Sequence, residues 1–338
     1  MNFERYSRQI LFSGIGRKGQ ESILRSRVII IGCGALGTVI ANNLARAGVG
    51  EIKIVDRDFV ELQDLGRQIL FDEKDAKERL PKAIAALNKL KKINSSIRLE
   101  AEVLSVEPRN IEKLIEGCHV VLDGTDNMET RFLINDACVK NRIPWIYGGV
   151  IGATGMSMNI IPEKTPCLRC VIHKLPLPGT LPTCDTQGII NPLPSAIGSW
   201  QSSEALKMLM GSDSLNQGLI YLDFWQGTFN KSRIMKRGDC LTCGKRNFRI
   251  LKSKEISWVT ALCGRNAVQI SPPEATNISL ESLRQTLGKV GEVSYNGYLL
   301  SFKTNGYELV VFPQGRVIIK GTTDKSVARS LCAKYIGL

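Results

Sequence analysis

The sequence predicts a doubly wound α/β fold with a small α/β module appended after it. Three observations lead there. Residues 28–31 are a continuous apolar, β-branched run, as in a strand buried on both faces of a parallel sheet. Gly32, Gly34 and Gly37 follow at the G-x-G-x-x-G spacing, which permits a tight turn, close approach of a phosphate and close packing of the next helix. Strand-like and helix-like stretches then alternate as far as residue 140.

In chain order, residues 4–25 read as helical segments broken at Gly14 and Gly16, an arm ahead of the sheet. A helix over 38–47 is ended by Gly48 and Gly50, and a strand over 51–55 carries Asp56 at its tip, where a carboxylate can accept ribose hydroxyls. Residues 81–93 form an amphipathic helix with Ile84, Leu87 and Leu90 on one face and Lys82 in its first turn. A strand over 97–104, a short helix over 110–116 and a buried strand over 119–122 follow. Asp123-Gly124-Thr125-Asp126-Asn127 then sits where open α/β sheets bind ligands. Asn127 or Thr125 can cap the helix over 129–140 while Asp126 faces the ligand. Residues 144–161 read as two strands. Residues 175–194 read as an exposed, flexible Pro- and Gly-rich crossover carrying Cys184. A helix over 195–210 and closing strands over 220–224 and 229–235 complete the large unit.

The chain divides at 1–250 and 251–338. In the second part a strand (267–270), a helix (280–287), strands within 292–303 and 307–320, and a helix (325–335) form a small α/β domain of no evident chemistry. Asn296-Gly297, Asn305-Gly306 and Gln314-Gly315 are its hairpin signals.

Composition bounds the function. The apolar fraction of 43% suits a globular protein of 338 residues, and no apolar run reaches membrane-spanning length. The first residues lack a signal-peptide pattern, so a cytoplasmic protein is expected. The net charge of +13 is concentrated after residue 230, where 18 Lys+Arg face 7 Asp+Glu. These cations are scattered singly without interleaved aromatics, which argues against nucleic acid and for a solvated basic face or an acidic partner protein. The ten cysteines point to metal or catalytic roles in a cytoplasmic protein, and His119 and His173 alone cannot build a histidine-rich centre.

Arg67 and Lys82 separate the candidate chemistries. A nicotinamide dinucleotide needs only its pyrophosphate balanced, and a helix N-terminus does much of that. A triphosphate under attack needs several cations and usually Mg²⁺. In order, the chain carries R-Y-S-R-Q-I (residues 5–10), G-C-G-A-L-G, D-R-D-F-V-E, L-G-R-Q (65–68), Lys82 and D-G-T-D-N (123–127). Together these resemble the MoeB/ThiF/HesA adenylyltransferases, relatives of ubiquitin-activating enzymes, over about three quarters of the chain. The long Gram-positive-type MoeB proteins, which carry a C-terminal extension, are the nearest likeness.

The resemblance implies a Rossmann-like adenylation fold and ATP-dependent activation of the C-terminal Gly-Gly carboxylate of a ubiquitin-fold sulfur carrier. It assigns the nucleotide to Gly32, Gly34, Ala35, Gly37, Asp56, Asp58, Asp64, Gln68 and Asn127. The phosphates fall to Arg67 and Lys82, Mg²⁺ to Asp126, and Arg8 reaches the partner's ATP in a homodimer. A MoaD-like carrier for molybdenum cofactor is the first reading, and a ThiS-like carrier for thiamin the alternative. Sulfur would come from a donor such as a cysteine desulfurase or rhodanese. Cys184 matches a cysteine that is covalently linked to the carrier in the ThiF branch and dispensable in MoeB.

Two C-x-x-C pairs, Cys167/Cys170 and Cys240/Cys243, supply four thiolates suited to zinc, although the 69-residue gap between them is equally that of two unrelated turns. The resemblance places Zn²⁺ on these four. Two departures stand out: Ala35 replaces a glycine near phosphate, and Asp64 replaces an asparagine, putting a carboxylate where a triphosphate would be repelled unless the carboxylate meets Mg²⁺ or a ribose hydroxyl. The rivals are an NAD(P)-dependent oxidoreductase, which leaves Arg67, Lys82 and Asp126 without a task, and a pseudo-enzyme that docks a ubiquitin-like partner.

Overall fold

The computed structural model describes residues 3–177, 180–253, 259–262, 266–272 and 276–337. The chain forms two compact units, Met1–Ser253 and Lys254–Leu338.

The first unit opens with a 3-10 turn (Glu4–Tyr6), α1 (Ser7–Leu11) and α2 (Gly16–Leu24), followed by β1 (Arg27–Ile31), α3 (Ala35–Ala47) and β2 (Glu51–Val55). Next come α4 (Glu73–Lys77), α5 (Lys82–Ile93), β3 (Arg98–Glu102), α6 (Ile111–Ile115), β4 (Val120–Asp123) and α7 (Met128–Asn141). The unit closes with β5 (Trp145–Ile151), β6 (Thr154–Ile160), α8 (Leu168–Val171), α9 (Cys184–Gln187), α10 (Pro192–Leu209), β7 (Leu219–Asp223) and β8 (Thr228–Ser232).

Among the described residues its strands make one eight-stranded sheet in the order β3-β2-β1-β4-β5-β6-β7-β8. The strands from β3 to β5 are parallel, and β6, β7 and β8 add antiparallel. Alternation along β1 explains why its run is apolar throughout. Val28 and Ile30 join one core with α3, α5 and α10, while Ile29 and Ile31 join a second core with α6, α7 and α8.

One expected helix face is corrected. On α5 it is Ala83, Ala85, Ala86 and Leu90 that enter the core, and Ile84 and Leu87 are only half-buried. Small side chains let α5 approach α3 closely, so the alanines and not the larger residues mark the packed face.

The second unit contains β9 (Val259–Leu262), β10 (Ala267–Ile270), α11 (Leu280–Leu287), β11 (Glu292–Tyr295), β12 (Leu300–Thr304), β13 (Tyr307–Val311), β14 (Val317–Lys320) and α12 (Lys325–Ile336). Its described strands form an antiparallel sheet ordered β11-β12-β13-β14-β10-β9. α11 packs on β11 and β12, and α12 on β9 and β10, over a core that includes Phe302, Leu309 and Ile319. The β12–β13 turn takes its shape from Asn305 and Gly306, both at positive φ. No helix among the described residues is long and apolar enough to cross a membrane.

Candidate active site

The crevice opens at the carboxyl ends of β1 and β4, where the order of strand addition reverses. Its floor is an interlock of glycines. A side chain on Gly37 would lie 2.0 Å from the carbonyl oxygen of Gly32, and one on Gly124 2.3 Å from the same atom. Gly32 itself has φ +89° and would meet the Gly124 carbonyl oxygen at 2.5 Å. These three positions exclude side chains because the β1–α3 turn rests directly on the end of β4. Gly34, which caps α3, is different: a side chain there would meet only Gln68 Nε2, at 3.9 Å, so this part of the turn is open to a ligand. Ala35 is the first residue of α3 and is half-buried.

Asp56, at the tip of β2, turns back onto this loop. Its Oδ2 accepts the Cys33 N–H at 2.6 Å and its Oδ1 the Asp58 N–H at 2.7 Å. Burial, and then the neighbouring Asp58 charge, push its carboxyl above the ordinary value, against the pull of Lys82 and the two N–H groups. Each oxygen keeps a second lone-pair direction with which to meet a ribose hydroxyl.

The centre of the site is Asp64, on a 3-10 turn (Leu62–Asp64) and only 2% exposed. Its Oδ2 lies 3.2 Å from Lys82 Nζ and accepts the Glu61 N–H at 3.0 Å. Its Oδ1 lies 3.4 Å from Arg67 Nη2 and accepts Gln68 Nε2 at 2.7 Å. Two cations, an amide and a main-chain N–H engage Asp64, as burial of a charge demands. Lys82 reaches this point because α5 begins against the loop after β2: its N–H donates to Asp58 O at 2.8 Å, and Phe59 bridges Pro81. Arg67 is held as well by Nη1 donating to Gln63 O at 2.8 Å. Gln68 is 3% exposed, and its Oε1 is buried without a hydrogen-bond partner.

At the end of β4, Asp126 is exposed, while Asn127 caps α7 by accepting the Thr130 N–H at 2.9 Å and donates to Asp126 Oδ1 at 3.2 Å. This turn is braced from beneath by groups the sequence did not reveal. Buried Asp123 accepts Thr125 Oγ1 at 2.7 Å and Arg131 Nε at 3.1 Å. Arg131 Nη2 donates to Thr125 O at 2.6 Å and Gly148 O at 2.9 Å, and Gln201 Nε2 donates to Asp123 O at 2.9 Å. Residues 131–139 of α7 are all buried, so no amphipathic pattern marks Arg131 as inward-facing.

The remaining expected residues lie elsewhere. Arg8 is exposed on α1, whose neighbouring Gln9 donates to Ala47 O at 3.0 Å at the C-terminal end of α3. Gly34 is at the other end of that helix, about 20 Å away. Cys184 does not lie in an irregular exposed loop as expected. It is half-buried at the start of α9, 3.8 Å from Val150 O, because Thr183 and Thr186 form a capping box and residues 188–190 hydrogen-bond to Gly152.

Cys167, Cys170, Cys240 and Cys243 converge, with all four Sγ atoms within 4.8 Å of one another. Cys167 and Cys240 are 3.6 Å apart at sulfur, and Cys170 and Cys243 3.4 Å. Tetrahedral zinc with thiolate bonds near 2.3 Å requires sulfur separations of about 3.8 Å, so the donor set and its spacing fit the metal. Around the cysteines, Arg169 Nε donates to Thr242 Oγ1 at 3.1 Å, and Thr242 donates to Asp136 at 2.7 Å.

Residues 6–242 match the ThiF family. The chain belongs to that family. It is 41% identical over 336 residues to the sulfur carrier protein ThiS adenylyltransferase of Bacillus subtilis, covering 98% of this chain and 99% of that one. It is 35% identical to the SAMP-activating enzyme E1 of Haloferax volcanii, over 72% of this chain and 89% of the relative. Escherichia coli MccB shares the ThiF-type fold, with a TM-score of 0.63 at 24% identity over 72% of this chain and 75% of MccB.

Proposed function

We propose that this ThiF-family enzyme transfers AMP from ATP to the C-terminal carboxylate of a ubiquitin-fold sulfur carrier. The observation that carries this reading is the pair Arg67 and Lys82, gathered at Asp64 beside the open Gly34 turn. Two buried or half-buried cations next to a glycine turn suit a triphosphate and have no task in hydride transfer. The carrier carboxylate attacks the α-phosphorus and pyrophosphate leaves with the α–β bond electrons. At neutral pH the carboxylate is already a nucleophile, so the protein contributes position and charge. Arg67 and Lys82 hold the phosphates, Asp56 the ribose, and Gln68 and Asn127 flank the nucleotide. Asp126 suits Mg²⁺, a hard cation taken by one or two carboxylates together with phosphate oxygens, and the metal would neutralise phosphate charge. Arg8, some helix length from its own crevice, acts on the ATP of a partner subunit in a homodimer. The four cysteines hold zinc as a closed structural site with no open position for substrate.

The favoured carrier is ThiS-like, feeding thiamin synthesis, because the ThiS adenylyltransferase relative matches both units of this chain. A MoaD-like carrier of molybdopterin synthesis is the second reading, since the adenylating residues themselves carry no carrier identity. The terminal sulfur of a persulfide on a donor such as a cysteine desulfurase or rhodanese then attacks the acyl carbon and AMP leaves, and a thiol cleaves the resulting acyl disulfide, freeing the thiocarboxylate and forming a disulfide with the donor cysteine. The test is ATP–pyrophosphate exchange with purified ThiS-like and MoaD-like carriers. Exchange stimulated by neither would overturn the function, and stimulation by the MoaD-like carrier alone would reverse the order of the readings.

A further inference from the structure

We propose that Asp64 is a positioning residue, an internal counter-ion that fixes Arg67, Lys82 and Gln68 for the triphosphate while weakening nucleotide affinity. The inference rests on ATP phosphates meeting Arg67 and Lys82.

Three observations support it. First, the carboxylate is 2% exposed, and each oxygen is engaged by one cation and one uncharged donor. A metal ion or ribose hydroxyl would have to displace one of these, so Asp64 is not a ligand of Mg²⁺ or of the sugar. Second, the partners come from separate elements: Arg67 and Gln68 follow the 3-10 turn, and Lys82 opens α5. Without an anion between them the two cations would repel and their long side chains would spread. Third, a carboxylate can only accept, so it fixes the Gln68 amide with Nε2 toward Asp64 and leaves the buried, unpartnered Oε1 as an acceptor.

The consequences oppose one another. When phosphate oxygens arrive, the Asp64 charge remains beside the cations and disfavours binding. The same charge keeps the cations where the transferring phosphate needs them. An asparagine at 64 removes the repulsion and can no longer hold both cations or impose the amide orientation on Gln68. Asp64→Asn is therefore expected to tighten ATP binding about fivefold and to slow exchange at saturating ATP roughly tenfold or more.

Titration calorimetry of ATP and Mg²⁺ without carrier gives Kd, and carrier-dependent exchange gives kcat. Wild-type exchange tests the underlying reading, and its absence would remove that reading before the variant is considered. With wild-type exchange present, a lower Kd together with a lower kcat supports the counter-ion. A higher or unchanged Kd, or an unchanged kcat, overturns it. Loss of packing alone would raise Kd, which separates a merely structural role. If the asparagine variant does not fold, Asp64→Glu replaces it, keeping the charge but moving it by one methylene. Kd should then stay within about threefold of wild type while kcat falls roughly tenfold, and any other combination overturns the proposal.

Discussion

The glycines of the β1–α3 turn do two different jobs, and alanine substitutions should separate them. Gly37→Ala places a methyl group 2.0 Å from the Gly32 carbonyl oxygen, where only backbone movement relieves the clash. It is expected to cost about 3 kcal/mol or more, seen as a lowered Tm or insoluble protein. Gly34→Ala meets nothing nearer than 3.9 Å, so it should fold with little change in Tm yet bind ATP about tenfold more weakly by calorimetry. Equal effects of the two substitutions on Tm would contradict this division. At the other lip of the crevice, exposed Asp126→Ala should abolish carrier-dependent exchange with the Tm preserved. Near-normal exchange at millimolar Mg²⁺ would remove it from metal binding. Of these residues, Arg67, Lys82 and Asp126 were readable in the sequence because residue order along a recognisable motif places them. Arg131 and Gln201 were not, because their hydrogen bonds join β4, α7, β5 and α10, and no local pattern encodes that meeting.

At the scale of elements, the two C-x-x-C turns are joined across 69 residues, so a metal there closes a long loop. Cys240→Ser should lower the zinc content below one per chain and the Tm by about 10 °C or more, with residual exchange at low temperature. Wild-type protein without zinc by elemental analysis would refute the site. The strands of the large sheet were legible to within a residue or two because β-branched runs and the turn residues around them act locally, except β8, which ends at Ser232, three residues short of the expected 235. The short helix α6 was read as well, but α4 and α9 were not. α4 and α9 each span barely one turn and are held by capping boxes at Asp72/Asp75 and Thr183/Thr186, which leave no hydrophobic period to read. α3 starts three residues earlier than expected, since Gly34 itself is the cap. On α5 the larger apolar residues misled because alanines make the close contact.

For the whole molecule, the separation of Arg8 from its own crevice makes subunit pairing testable. Mixing Arg8→Ala chains with Asp126→Ala chains under conditions of exchange should restore part of the activity, since a hybrid dimer has one site free of both defects. No recovery would place Arg8 within its own chain or outside the reaction. Cys184→Ala should retain pyrophosphate exchange and lose at most part of thiocarboxylate formation. A carrier adduct found by mass spectrometry in wild type and missing in the variant, with thiocarboxylate abolished, would instead make the cysteine an obligatory carrier link. The two C-x-x-C turns have one more consequence. They lie on either side of the crossover that carries Cys184, and β6 before it pairs with β7 after it. With zinc on these four cysteines the polypeptide would be fastened to itself twice around this segment, so a single proteolytic cut in the crossover should yield two fragments that still migrate as one particle in a native gel. Only chelation together with denaturant should part them.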